Sequence, residues 1–241
     1  MEDLNNKIPT GSKILDIMLS GGYEKDVITT IYGPAGSGKT VFCLLCSINI
    51  VRTGKKVVYV DSEGGFSLER MRQIALHISQ DYKKILDNII FLRPTSFAEQ
   101  KSSFEKLKDI VNDKIGLIVV DTIAMLYRLE LGKNEDVYEV NRELSKQISY
   151  LTEIARKKNI PVLITNQVYA DFDAKDKVNI VGGDILKYGS KCLLELQITP
   201  NGNRRVILRK HRSIAEEKEI LFKIVEGGII GTKESRGFKL F

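Results

Sequence analysis

The sequence predicts an α/β fold: a mainly parallel central sheet flanked by helices and closed by antiparallel strands. Three observations carry this expectation. Short apolar runs alternate with amphipathic stretches over most of the chain, the pattern shifts after about residue 190 to strand-like segments joined by a turn, and a glycine-rich string stands where an early apolar run meets a helical stretch.

In chain order, VITTIYG (27–33), KVVYVD (56–61), IIFLRP (89–94), GLIVVDT (116–122) and PVLITNQV (161–168) read as strands. Each is apolar almost throughout rather than alternating, the habit of parallel strands buried on both faces. The stretches 39–53, 67–77, 96–111 and 137–158 carry apolar residues at helical spacing; in the last, Val137, Val140, Leu144, Ile148, Leu151 and Ile154 form one stripe. Strand–helix alternation of this kind implies right-handed crossovers. KCLLELQIT, the turn PNGN, RRVILRKH and KEILFKIVEGGI follow as an antiparallel meander. No repeat or low-complexity linker interrupts the chain, so residues 1–241 are expected to form one domain. Two connections, 127–136 and 169–184, are longer than ordinary loops and are expected to be functional.

Composition excludes several classes. No run approaches the ~20 apolar residues of a membrane span, and MEDLNNKIPTG has no signal pattern, so a cytoplasmic protein without a membrane partner is expected. Three cysteines, Cys43, Cys46 and Cys192, do not make a disulfide scaffold. Cys43 and Cys46 stand in the apolar run after the glycine-rich string, where a helix buries them as small hydrophobes. The 37 basic residues outnumber the 31 acidic ones, for a net charge of +6. That excess suits a polyanion partner and equally the surface ion pairs of a heat-adapted protein.

The most specific signal is GPAGSGKT at 33–40, which satisfies G-x-x-x-x-G-K-[ST] between a strand and a helix. Its glycines let successive backbone N–H groups turn into one concavity at the head of a helix, where phosphate oxygens bind. Gly33, Pro34, Ala35, Gly36, Ser37, Gly38, Lys39, Thr40 and Val41 are therefore the candidate nucleotide-binding residues. Lys39 is expected to reach the β- and γ-phosphates and the Thr40 hydroxyl to ligate Mg²⁺. GLIVVD ends a buried strand on Asp121, the second candidate for holding the metal. ATP and Mg²⁺ are the expected cofactors.

The strings YVDSEGGFSLERMRQIA, LIVVDT with the MLYR that follows it, and ITNQV occur in the order and spacing of RecA-like strand-exchange proteins, most closely archaeal RadA and its eukaryotic relatives. The opening TGSKILDIMLSGGYEKDVITTIYG is similar too, and the resemblance covers about residues 9–230. The chain starts almost at the ATPase core, without the helical DNA-binding domain of RadA, and this outline most resembles the archaeal RadB paralogues. The resemblance implies a RecA-like P-loop core and assigns roles within it. Glu63 in DSEGG orients and deprotonates the attacking water, Gln167 in ITNQ senses the γ-phosphate, and Arg70 in SLERM packs on adenine. Lys210 and Arg212 close RRVILRKHR, where strand alternation would put them on one face. They match RecA lysines that reach the γ-phosphate of a neighbouring subunit. The two long loops are implied to hold DNA, with Arg128 and Lys133 in the first and Lys175, Lys177 and Lys187 in or beside the second as phosphate contacts.

Two departures from strand-exchange proteins stand out. YADFDAKDKVNIVGGD sets Asp171, Asp173, Asp176 and Asp184 among its lysines, and MEDLNNKI lacks the phenylalanine through which RadA-type subunits polymerise, leaving self-association open. The resemblance thus implies an ATP-binding, single-stranded-DNA-binding accessory protein of homologous recombination and repair with weak ATP hydrolysis. Its implied partners are a RadA-type recombinase or a Holliday-junction resolvase. An active strand-exchange recombinase and a KaiC-like ATPase regulator of proteins stay open as alternatives.

Overall fold

Every run read above as a strand forms one in the computed structural model, which describes residues 6–78, 81–133, 136–170, 178–215 and 218–232, without the side chains of 169, 170, 178 and 179. The elements are β1 (Lys7–Ile8), α1 (Lys13–Met18), β2 (Tyr23–Glu24), β3 (Ile28–Tyr32), α2 (Lys39–Arg52), β4 (Lys56–Asp61), α3 (Leu68–Ile78), α4 (Tyr82–Asp87), β5 (Ile89–Leu92), α5 (Phe97–Ile110) and β6 (Ile115–Asp121). They continue with α6 (Met125–Leu131), α7 (Val137–Lys158), β7 (Val162–Asn166), β8 (Val168–Ala170), β9 (Val178–Ile180), α8 (Gly183–Gly189), β10 (Cys192–Ile198), β11 (Arg204–Lys210), β12 (Glu219–Val225) and β13 (Gly228–Gly231).

The main sheet has nine strands in the order β13-β12-β11-β10-β3-β7-β6-β4-β5. From β10 to β5 every neighbouring pair is parallel. Strands β11, β12 and β13 extend the sheet antiparallel, as the change of pattern after residue 190 predicts. Alternation along each parallel strand divides its apolar residues between two layers: Val57 and Tyr59 face one, Val58 and Val60 the other. Leu117 and Val119 are likewise opposed to Ile118 and Val120. The first layer takes Phe42, Leu44, Met71, Ile74 and Ile85 from α2, α3 and α4, and the second takes Phe104, Leu107, Leu144 and Leu151 from α5 and α7. Helix α2 is buried nearly all round, which accounts for its long apolar run. The three cysteines are buried there and on β10, and burial pushes the Cys192 thiol up to about 12.

Local chemistry sets the helix ends. Ser96 caps α5 by accepting from the Glu99 amide at 3.1 Å, while the Glu99 carboxylate reaches back to the Thr95 amide at 2.7 Å. Asp136 caps α7 in the same way, accepting from the Glu139 amide at 3.0 Å, and the helix stops at Asn159, held left-handed at φ 51°. Among the described residues no helix is long and apolar enough to cross a membrane.

The long connections differ from expectation. The first half of 127–136 is helical: α6 begins at Met125, runs to Leu131 and sinks Leu126 and Tyr127 into the second layer. In 169–184, β8 and β9 pair antiparallel and α8 begins at Gly183. A helix of seven residues spans less than two turns, too few apolar positions for a period to show. KEILFKIVEGGI likewise folds as two strands, β12 and β13, paired from Phe222–Gly231 to Val225–Gly228.

Candidate functional site

Strands β3, β7, β6 and β4 are neighbours in the sheet and all point the same way, so their carboxyl ends bring four connections to one edge, where open α/β sheets receive ligands. From β3 the chain enters the glycine-rich loop and passes into α2. Two glycines are required there. Gly33 has φ 156° and a Cβ on it would sit 2.3 Å from the Leu196 carbonyl oxygen, while Gly38, at φ 104°, caps α2 with Ile224 Cδ1 3.0 Å from its Cβ position. Lys39 folds back across the loop, its Nζ donating to the carbonyls of Gly33 and Pro34, each at 2.9 Å. Burial draws the Lys39 pKa down, and the nearby carboxylates of Glu63 and Asp121 oppose the shift. The Ser37 hydroxyl is buried with no partner among the described residues. An ammonium and the amides at the head of a 14-residue helix make a donor set suited to phosphate.

Asp121 ends β6 only 3% exposed. One carboxylate oxygen accepts from the Thr40 hydroxyl and the Tyr59 phenol, both at 2.8 Å, and the other from the Thr165 hydroxyl. Burial, reinforced by Asp121, raises the Tyr59 pKa and keeps the phenol a donor. Hydroxyl and carboxylate oxygen side by side suit a hard divalent cation such as Mg²⁺. The Asp121–Thr122 peptide bond is cis. At the end of β4, Asp61 turns the DSEGG segment by accepting from the amides of Gly65 at 3.1 Å and Phe66 at 3.3 Å. Glu63 stands on that turn and takes a hydrogen bond from the Gln167 side-chain amide, which lies just past β7. Burial and then Asp121 push the Glu63 carboxyl up, while Lys39 and the Gln167 bond pull it down. Lys39, Thr40, Asp121, Glu63 and Gln167 therefore converge as the sequence predicts.

The remaining predicted residues are dispersed. Arg70 on α3 gives its guanidinium to the turn between β12 and β13, donating to the carbonyls of Val225 at 2.6 Å and Glu226 at 3.2 Å. Strand β11 ends at Lys210, so the expected alternation does not reach residue 212 and the two cations do not share a face. Lys210 donates to the Lys187 carbonyl at 2.6 Å, and Arg212 pairs with Glu24 at 3.0 Å and Asp26 at 3.1 Å. Arg128 lines a cavity of about 880 Å³ between α6, the start of α7 and α8, together with Tyr138 and Arg142. Lys133 is exposed just beyond α6, and Lys187 lies on α8, 3.7 Å from Asp184. Lys175 and Lys177 lie outside the described residues. Sequence reasoning passed over Tyr59, Thr165 and Arg204, the last donating to the Gly36 carbonyl at 3.4 Å. Their only signal is position near strand ends.

A strand–glycine loop–helix unit, an acid ending a second strand, and a third strand, β7, inserted between the two define a RecA-like P-loop protein. The Rad51 family model matches residues 4–232, and the chain belongs to that family. A protein of Methanobrevibacter smithii named DNA repair and recombination protein RadB is 45% identical over 232 residues, covering 94% of this chain and 96% of the relative. Its namesake in Methanocaldococcus jannaschii is 42% identical over 221 residues, covering 90% of this chain and 98% of the relative. Among solved structures, one titled crystal structure of the RadB recombinase superposes with a TM-score of 0.80 at 39% identity, covering 91% of this chain and 97% of the other.

Proposed function

We propose that the chain binds ATP with Mg²⁺ at this site and serves homologous recombination and DNA repair as a nucleotide-responsive, single-stranded-DNA-binding accessory protein with weak ATP hydrolysis. One observation carries the reading: the Thr40–Asp121 contact joins the phosphate loop to the end of β6, and beside it the Glu63–Gln167 contact joins the segments that follow β4 and β7. In this reading Gly33 to Val41 enclose the polyphosphate, Lys39 exchanges its loop carbonyls for phosphate oxygens, and Thr40 and Asp121 hold Mg²⁺. The bound metal offsets phosphate charge. Ionised Glu63 accepts a proton from the attacking water, and Gln167 fixes the carboxylate's direction. Arg70 supports the adenine. Arg128, Lys133, Lys175, Lys177 and Lys187 contact the DNA backbone. A trans role for Lys210 and Arg212 requires each to leave its present partners, and the proposal does not depend on it. The names of the relatives support recombination and repair as the setting. A RadA-type recombinase or a Holliday-junction resolvase completes the proposal as partner.

The test is fluorescence anisotropy of single-stranded DNA at physiological salt without nucleotide, with Mg·ATP and with a non-hydrolysable analogue. Affinity should change with nucleotide, and Lys39→Ala should lose the response. No binding in any state would overturn the DNA assignment and favour an ATPase acting on proteins.

A further inference from the structure

The outer side of the phosphate loop rests on the antiparallel strands. Gly33 lies against the Leu196 backbone on β10 and Gly38 against Ile224 on β12. Between them Arg204, the first residue of β11, donates from Nη2 to the Gly36 carbonyl at 3.4 Å and from Nη1 to the Gly202 carbonyl at 2.7 Å. Its Nε is buried with no partner among the described residues. Arg204 lies opposite Phe222 in the sheet, and Phe222 packs edge-on against Phe42 of α2 at 5.4 Å. The base of Arg204 is therefore anchored to the same core that carries the loop's helix.

We propose that Arg204 is a positioning residue for the nucleotide loop, holding the 36–37 peptide from outside and thereby setting affinity for the polyphosphate. A trans peptide is planar, so its carbonyl and its N–H point opposite ways. With the Gly36 carbonyl drawn outward to Arg204, the Ser37 amide faces inward, donating to the Pro34 carbonyl at 3.3 Å, the same oxygen that takes the Lys39 ammonium. Among the described residues nothing but its chain neighbours stands within 4 Å of a Cβ built on Gly36, so no packed side chain braces that side of the loop. The Arg204 bond on the carbonyl and the Pro34 bond on the amide restrain the 36–37 peptide from its two sides. A loop already oriented loses less freedom when phosphate arrives, and a cation beside it adds attraction for the anion.

The inference rests on reading the site as a nucleotide cradle. The test compares the full-length wild type with Arg204→Met and Arg204→Lys, titrating Mg·ATP by calorimetry and melting each protein without nucleotide. Arg204→Met should bind roughly tenfold more weakly, the loss of one hydrogen bond from a charged donor. Arg204→Lys should recover part of that, keeping the charge with fewer donors, and the nucleotide-free melting points should stay together. If the wild type binds and Arg204→Met binds within about twofold of it, the positioning role is wrong while the nucleotide site stands. A loss that Lys does not rescue, matched by a fall in melting, would also overturn the role, leaving Arg204 as a structural residue. A wild type that binds no nucleotide would sink the cradle reading and this one with it. Should Arg204→Met fail to fold, the Lys variant decides by the same comparison.

Discussion

Asp121→Asn separates what the fold needs from what the proposed metal site needs. The carboxylate is 3% exposed and accepts three hydroxyl bonds. Replacing it with a neutral amide weakens each by about 1 kcal/mol, so at most about 3 kcal/mol is lost. Hydroxyls can turn to accept from the new amide nitrogen, which lessens the cost. Against this, a buried carboxylate carries a desolvation penalty of several kcal/mol that the amide does not. The two contributions nearly cancel. Without nucleotide, the variant should lie within about 1 kcal/mol of wild type in urea denaturation. Its function should not survive as well. In the wild type Mg²⁺ should strengthen ATP binding, and in the variant that gain should shrink by about tenfold or more, read by titrations with and without the metal. A variant that unfolds easily yet keeps the full Mg²⁺ gain would refute the reasoning and make Asp121 a structural clamp.

Other expectations follow from the same contacts. Gly38→Ala should cost about 2 kcal/mol or more in denaturant melts, because alanine at φ 104° is strained and Ile224 must move; adding Ile224→Val should return part of the loss. Glu63→Gln should abolish hydrolysis while sparing Mg·ATP binding. Because burial and Asp121 raise the Glu63 pKa and the ionised form is the base, the wild-type rate should fall on acidification at a pH above the ordinary carboxylate range. The raised pKa also means that this carboxyl's contribution to stability is present at low pH and lost as pH rises through it, so Glu63→Gln should not lower the melting point at neutral pH. Phe222→Ala, emptying a fully buried ring site against Phe42, should cost about 3–5 kcal/mol.

The parallel strands were legible because both faces are buried: in KVVYVD no charged residue stands between Lys56 and Asp61, which turns the following loop. Helix α7 was equally plain, since 22 residues give its stripe six turns to repeat. The short helices α6 and α8 were not, because docking against the second layer, not propensity, makes them helical. In the site, the loop and Asp121 carry their own signature. Tyr59 and Thr165 become partners of Asp121 only because β4 and β7 flank β6, a fact of strand order with no local trace. Lys210 and Arg212 were misplaced for a related reason: the strand stops at Lys210, just before His211, and Arg212 turns toward Glu24.

The insertion of β7 between β3 and β6 bears on how the protein is made. Ile28 pairs with Val162 and Thr30 with Ile164, so the strand that begins the phosphate loop acquires its neighbour only after more than half the chain has left the ribosome. Pairings so distant in sequence close late and slowly. Asp121 and Gly33 cannot be set at their working distance until the later strand slides between them. Nucleotide competence should therefore arrive abruptly, near the end of folding, and a bound nucleotide would mark a chain whose centre has finished assembling.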